Sequence, residues 1–560
     1  MFVRVKPSSN GLHQKVQLVE SLREGTKVRQ RIVRHIGTAH SEKELEHFIR
    51  LAHHVKAQME EDRTPTLFGP EKMAELSLIH TSAPEPTRPA IQVKDLVEES
   101  RSVVGIHDVY GQIYKELAFD RLLPQPKRHQ ADTDYLRHLT MARIATPSSK
   151  RKAVDLLEHS FGVSLDLDRV YRLMDKLDDT FIEKLQTLSL QGVQQTLALF
   201  QEEIDILFYD ATTLYFESFT EDELKQNGYS KDCKFNQAQV LLCLFVTRQG
   251  LPVGYELFPG STYEGHTLLL ALEKLKQRFQ VRHLVFVADS GLLNEPNLSL
   301  LEQAGYTYIV GARLKSLPQK VQDQVTDKAR YEELNEDVRT QAITLEDEDR
   351  AKGRKARYLI VSHSETRARK DAHDRLKAIQ KMQEKLKKSK NPTSLISNYG
   401  YKKYIRIEGE AEVIIDEEKL AAGAKWDGFH GVVTNAESLS HEEVLAHYKG
   451  LWQVEETFRV SKSDLKIRPI YHWTPERIRA HIAMCYMALC CVRQLEYRVN
   501  RLYQKLSPEV IRENLMSVQA SILRHKPSGQ KYVLPSTTRE HAGKIYQVMG
   551  LKLVTQPTAL

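Results

Sequence analysis

Residues 204–217 read IDILFYDATTLYFE. The run is apolar and β-branched or aromatic almost throughout, which is the pattern of a strand buried on both faces rather than one alternating between core and water. Asp210 interrupts it. An ionised carboxylate in an apolar strand is costly unless something compensates it. Working outward, AQVLLCLFVT (238–247), a turn at RQGLP and VGYELF (253–258) read as a hairpin that extends the same sheet. EGHTLLLALEKLKQRF (264–279) has helical spacing. HLVFVADSG (283–291) is a second buried strand, ending on Asp289. EPNLSLLEQAG (295–305) is a helix closed by Gly305, and YTYIVGA (306–312) a further strand. The order β-β-β-α-β-α-β predicts a mixed α/β sheet.

Asp210 and Asp289 each read, alone, as a capping residue at a strand-to-loop turn. Together they put two acids at the ends of two core strands, where open α/β sheets gather functional groups. A third acid comes from YKGLWQVEETFRVSKSDLK (448–466), which reads as one amphipathic helix with Leu451, Val454 and Phe458 as its buried stripe. Glu455, Arg459 and Lys462 fall on one face of it, and an exposed ladder of ion pairs is the competing reading. Three carboxylates without His or Cys suit hard divalent ions, Mg²⁺ or Mn²⁺. Two such ions clamp the attacking and leaving oxygens of a phosphodiester.

The chain of 560 residues is 41% apolar and 28% charged, with no apolar run of the ~18–20 residues a membrane span needs. No signal peptide is read at its start. Its five cysteines, Cys233, Cys243, Cys485, Cys490 and Cys491, have no CxxC spacing, which predicts reduced thiols in a cytoplasmic protein, nucleoid-associated if it binds DNA, and no zinc site. The net charge of +7 is uneven. Residues 352–390 hold fourteen Lys and Arg against four Asp and Glu, residues 459–526 thirteen against five, and residues 1–38 eight against two. Three separated basic blocks predict a surface that meets a polyanion at several places. Within the first of them Lys381, Lys385 and Lys388 are expected to hold DNA by charge rather than by sequence.

FVRVK, KVQLVESL and VRQRIVRHI predict an antiparallel meander, followed by a helix over 41–62 and a Pro-rich linker at 82–90. From about 105 to 200 the pattern is helical; Lys150, Arg151 and Lys152 stand at a helix start, a place suited to phosphate contact. The segment between 314 and 427 has a different character: a Lys-rich helix, then strands at YKKYIRIEGEAEVII, with FHGVVTN after it. Helices are expected from about 474 onward, with MCYMALCCV and Arg493, Arg498 and Arg501 offered to DNA or to a dimer contact.

In this order the motifs resemble a DDE transposase of a bacterial insertion sequence, in the class with a β-rich insertion before the catalytic Glu. FYDATTLYFES resembles the strand of the first Asp, and VADSGLLNEPNL followed by GYTYIVGARLK that of the second; GYSKD (228–232) and VVTN (432–435) also resemble family stretches. The signature helix of that class carries Tyr, Arg, Glu and Lys at spacings of three, four and seven. Tyr448, Glu455 and Lys462 match, and Leu451 stands in the Arg position. The resemblance implies an RNase H-like catalytic core interrupted by a β-rich insertion domain, with an N-terminal β meander plus helical domain and C-terminal helices. The implied divisions are 1–81, a helical DNA-binding domain at 91–200, the core at 201–313 and 428–473, the insertion at 314–427, and 474–560. It implies that Asp210, Asp289 and Glu455 are the catalytic metal ligands for two Mg²⁺ ions, with Mn²⁺ able to substitute. Glu456 is the rival for the third ligand. Tyr448, Arg459 and Lys462 would hold phosphates near the cut, and Trp452 would stack on an unpaired base or pack in the core. The implied partners are double-stranded DNA, both transposon ends and target, and a second copy of the chain, since two ends need two active sites. A nuclease without strand transfer and an inactive DNA-binding relative are the other readings.

Overall fold

The computed structural model describes residues 1–7, 13–24, 27–61, 92–124, 128–216, 220–228, 237–278, 284–292, 294–345, 356–388, 405–408 and 412–560. Cys233, most of GYSKD, the linker at 82–90 and Lys390 lie outside them. The chain forms two compact units, 1–93 and 94–560.

In the first unit β1 (Phe2–Pro7), β2 (Gln14–Glu24) and β3 (Lys27–Ala39) pair antiparallel in sequence order, and the helix Glu42–Glu61 packs across them. Leu18 and Val19 are both buried although they are neighbours in one strand. The β2–β3 register shifts between them, and such a bulge turns two consecutive side chains inward.

The second unit opens with β4 (Leu96–Val103) and then a run of helices from Gly105 to Leu199. β5 (Ile206–Tyr215) follows, flanked by β6 (Gln239–Thr247) and β7 (Pro252–Pro259) on one side. On the other side β8 (Val285–Ala288) and β9 (Thr307–Gly311) run parallel to β5, each reached through helical segments as a parallel crossover requires. β5 separates two cores. Ile206, Phe208 and Leu214 join the larger one, and Leu207, Tyr209 and Ala211 the smaller one on the opposite face. Asp210 and Thr212 therefore lie, by alternation, on the larger-core face.

The sheet does not end at β9. β15 (Phe429–Thr434) pairs antiparallel with β9, β12 (Arg357–Ser364) with β15, β11 (Val338–Leu345) with β12, and the two-residue β10 (Glu332–Glu333) with β11. Much of the segment expected to be a separate insertion thus widens the central sheet to nine strands among the described residues. β12 belongs there because Ile360 faces the larger core and Leu359 and Val361 the smaller. What stands apart is the hairpin β13 (Ile405–Glu408) and β14 (Glu412–Ile415), and the 24-residue Lys-rich helix Glu365–Lys388 that leaves β12.

The C-terminal region is not all helical. β16 (Gln519–His525), β17 (Lys531–Pro535) and β18 (Thr558–Ala559) form a sheet with β4. The helix Pro475–Leu502 is buried on every side from Met484 to Val492, so MCYMALCCV runs through the core and meets neither DNA nor a partner. Arg493 meets the Gly250 carbonyl and Glu496 inside the fold, Arg498 pairs with Glu116, and Arg501, half exposed, pairs with Glu202. Among the described residues no helix is long and apolar enough to cross a membrane. Cys243, Cys485, Cys490 and Cys491 are buried and in no disulfide.

One ion-pair network pins β12 to the helix between β8 and β9. Arg357, at the start of β12, is buried and donates to Glu302 at 2.7 and 3.2 Å and to Glu295 at 2.5 and 2.9 Å, both on the helix Glu295–Gln303. The Glu302 carboxylate is itself only 3% exposed and accepts from the Tyr308 hydroxyl. Replacing Arg357 by Met keeps the stem but leaves a buried carboxylate without its cation. The expected loss of unfolding free energy is about 3–5 kcal/mol, read by urea denaturation. A loss below about 1 kcal/mol would mean that strand pairing alone holds β12 in place.

Candidate active site

The parallel register of β5 on β8 pairs Phe208 with Val287 and Tyr209 with Ala288. One step further it sets Asp210 beside Asp289, on adjacent strands about 4.8 Å apart. Val287, like Phe208, faces the larger core, so alternation puts both aspartates on that face. The Asp210 carboxylate accepts from the Ala211 amide at 2.7 Å, and that of Asp289 from the Ser290 amide at 2.6 Å.

The same face packs the stretch 448–466. It is not a single helix: His441–Lys449 is one, opened by a capping box of Ser440 with Glu443, and Trp452–Arg459 is the next. Between them the amides of Gly450, Leu451, Gln453 and Val454 bond to carbonyls three residues back, which tightens the turn. The cause is close packing. A Cβ on Gly450 would stand 2.5 Å from the Phe208 ring of β5. Leu451, Val454 and Phe458 are buried as the spacing predicts. A π turn, Val460–Asp464, follows and re-phases everything after Arg459.

These elements enclose a cavity of about 620 Å³ whose wall includes Asp289, Tyr448, Trp452, Glu455, Arg367 and His430. Tyr448 is held in it from two sides. A Cβ on Gly311 would collide with the Tyr448 hydroxyl, so β9 has room for the phenol only because residue 311 is glycine. The hydroxyl donates to Asp289 Oδ1 at 3.4 Å, and burial, Asp289 and Glu455 together raise its pKa, which keeps it a donor. Trp452 is 53% exposed and so is not a core residue. His430 lies 5.1 Å from the Tyr448 ring, and burial, with Arg367 nearby, lowers its pKa to about 4.

Arg459 points elsewhere. Its guanidinium makes a bidentate pair with Glu456 at 2.8 and 2.6 Å and lies 3.8 Å from Asp464. The expected common face of Glu455, Arg459 and Lys462 is therefore split. Glu455 opens on the cavity, Glu456 and Arg459 satisfy each other beside it, and the π turn carries Lys462 to β5, where its ammonium lies 2.5 Å from Thr212 Oγ1. Thr212 is two residues on from Asp210 and shares its face. Asp210 is half-buried and does not line the cavity. Among the described residues no three His, Cys, Asp or Glu side chains stand close enough to hold a metal ion. Three like charges gain nothing by converging without a cation between them. Their chemistry, carboxylate oxygen only, still fits a hard divalent ion.

Lys381 is exposed on the helix Glu365–Lys388; Lys385 and Lys388 lie in its last turn, and their side chains are outside the described residues. Arg367, from the first turn of that helix, is the cation that sequence reasoning missed. It was visible only as one charge in a basic run, and what distinguishes it is that β12 delivers the helix start to the cavity.

A family model described as "Transposase DDE domain" matches residues 201–491, and one described as "IS1634 family transposase, N-terminal domain" matches residues 3–66. No curated protein matches the chain. Among solved structures, a piggyBac transposase synaptic complex with hairpin DNA is 11% identical, with a TM-score of 0.36 over 74% of this chain and 79% of that one. A Mos1 transposase paired-end complex with left transposon end is 13% identical, with a TM-score of 0.15 over 46% and 75%.

The His430 shift predicts a pH dependence. Its folded value lies below the 6.5 of the unfolded chain, so protons bind preferentially to the unfolded state as the pH falls. Stability present above pH 6.5 should decline from there to about pH 4 and then level off, His430 contributing up to about 2–3 kcal/mol of the decline. Denaturation of His430→Phe across that range should show a shallower decline; an identical pH profile would mean that His430 is not buried as a neutral ring.

Proposed function

Because the chain belongs to the DDE transposases, with the family's catalytic-domain model spanning residues 201–491, we propose that Asp210, Asp289 and Glu455 are the three acids of its active site. The observation that carries this is the β5–β8 register: it sets two aspartates side by side on the face that also packs the helix bearing Glu455. The strand order β7-β6-β5-β8-β9, with an antiparallel first three and a parallel last two, supports reading the centre of the sheet as an RNase H-like core. The later strands are then a widening of that core rather than an independent domain.

The three carboxylates would hold two Mg²⁺ ions, which supply an activated water or hydroxyl and stabilise the leaving oxygen of a phosphodiester. The chain's own residues do the positioning. Tyr448 donates to Asp289 and so fixes the rotamer of that carboxylate. Lys462, tethered at Thr212, sets a positive charge beside the Asp210 end of the site. Arg367 provides the cation that Leu451 cannot, and its guanidinium suits a bidentate grip on phosphate. The Arg459 pair keeps Glu456 out of the cavity and leaves Glu455 as the ligand. Trp452, half-exposed on the rim, offers a face for an unpaired base near the cut. The substrate is a transposon end: hydrolysis frees a 3′-hydroxyl, and the same site then directs that hydroxyl at a target phosphodiester. Two ends call for two copies of the chain on paired DNA.

Incubation with the element's flanking DNA and Mg²⁺, with products resolved on a denaturing gel, tests the reading. Asp210→Asn, Asp289→Asn and Glu455→Gln should each reduce cleavage by on the order of 10³-fold or more while duplex binding persists. Glu456→Ala should cut at close to the wild-type rate. Loss of cutting in Glu456→Ala with retention in Glu455→Gln would move the ligand by one residue. Cutting that survives excess chelator would end the metal mechanism. Products without joined strands would make the enzyme a nuclease only.

A further inference from the structure

A second cavity, of about 140 Å³, lies between the start of the helix Lys150–Phe161 and the segment 466–472 that follows the π turn. It is too small for a nucleotide or cofactor, which needs roughly 300 Å³ or more. Its wall contains Arg143, Lys150, Arg151, Lys466 and Arg468 and no carboxylate. Arg143 and Lys150 are each 6% exposed. Among the described residues, none of Arg143, Lys150, Arg151 and Lys466 has a carboxylate partner. Arg143 spends hydrogen bonds on the Leu465 and Lys466 carbonyls, which aims it at this turn. The Lys150 ammonium has His481 Nδ1 at 3.4 Å, and His481 in turn faces the Ile467 carbonyl. Burial drives His481 far below its ordinary range, so that ring is neutral and returns no charge to Lys150.

A buried lysine surrounded by like charges and lacking an anion is unfavourable in the free protein. Burial and Arg143 accordingly pull its pKa down to about 7. An arriving anion reverses each of these costs. The helix start adds its own: Ser149 caps the helix, and the first-turn amides and dipole favour negative charge there. An aromatic residue marks the anion as part of a polynucleotide. Tyr471 lines the cavity and is 63% exposed, a face on which a base can stack, and Trp473, two residues on, is 66% exposed with the Lys225 ammonium 5.6 Å from its ring centre.

We propose that this cavity is a binding site for one backbone phosphate of the DNA, built by Arg143, Lys150, Arg151, Lys466 and Arg468. It rests on the reading of the chain as a transposase only in that DNA is the anion offered. The turn that holds the phosphate is continuous with the helix that carries Glu455, so the site grips the strand on the same face of the sheet as the acids.

The test uses the full chain in excess chelator, so that binding is read without cutting, and a labelled duplex of arbitrary sequence. The slope of log affinity against log salt should flatten by about 0.9 in Lys150→Met, the loss of one phosphate contact. Arg151→Ala with Lys466→Ala, both exposed side chains, should flatten it by up to the same amount and decides the matter should Lys150→Met fold poorly. Inorganic phosphate should raise the wild-type Tm above that in chloride of equal ionic strength and should not raise that of Lys150→Met. Without phosphate, Lys150→Met should melt at or above the wild type, since it removes a buried uncompensated charge. Unchanged slopes in both variants overturn the proposal, and phosphate protection with unchanged slopes would make this a site for a free anion instead. The catalytic reading stands or falls separately, on cutting by Asp289→Asn and Glu455→Gln. Failure of the wild type to bind duplex at all would overturn both.

Discussion

The parallel pairing of β5 with β8 is the constraint on which the site depends. β5 is committed to two cores at once, so a one-residue slip would exchange every side chain between them and is strongly opposed. Asp210 sits within that strand, and the register then leaves Asp289 only one place to be. The acids are thus located by hydrophobic packing that has nothing to do with their chemistry. The helix Trp452–Arg459 is located the same way, through Leu451, Val454 and Phe458, and it approaches β5 closely enough that only glycine fits at 450.

Charge is distributed unevenly between the two cavities. One cavity gathers Asp289 and Glu455 with Tyr448 and Arg367; the other gathers five cations and no acid. Other basic residues, such as Arg357, Arg459 and Arg493, are paired internally. Counting positive charges along the chain therefore overstates the surface open to DNA. A net +7 conveys less than the way the cations are gathered on the fold.

The parts legible in the sequence were those where one physical term dominates. β5, β8 and β9 are short apolar runs buried on both faces, and nothing competes with that reading. The β meander shows equally well. β12 was obscured because its apolar centre, YLIV, is embedded in the densest basic run of the chain, and charge counting drew attention away from it. β16 and β17 are short, half-exposed strands, and the strand that pairs with the other edge of β16, β4, lies more than 400 residues earlier. Local pattern cannot report such a pairing. At the site, the place of Asp210 and Asp289 at two buried strands was legible in the sequence, whereas Glu455 differs from its neighbour Glu456 there only by its spacing to Tyr448 and Lys462. The direction of Arg459 was not legible, because Glu456 three residues before it offers a nearer partner, and that of Lys462 was not, because the π turn before it breaks the periodicity on which a face is computed. Arg367 was beyond reach for a simpler reason: it joins the cavity through the sheet, not through its neighbours in sequence.

The larger core is assembled from both ends of the second unit. Ile106, Leu139 and Leu157 from its beginning pack in one cluster with Ile482, Leu489 and Ile511 from near its end, and β4 must wait for β16. A ribosome adding about 5–20 residues per second needs roughly 20–80 s to travel from Val103 to Gln519. Throughout that interval the early helices lack the apolar helix that completes their core, and β5 with its aspartate lacks half of its cover. The nascent chain is thus open to proteases and chaperones for most of its synthesis. Glu455 and the long buried helix that follows it are also made only after β5 and β8, so a chain that stops before residue 502 lacks part of the packing that covers the Asp210 face of the sheet.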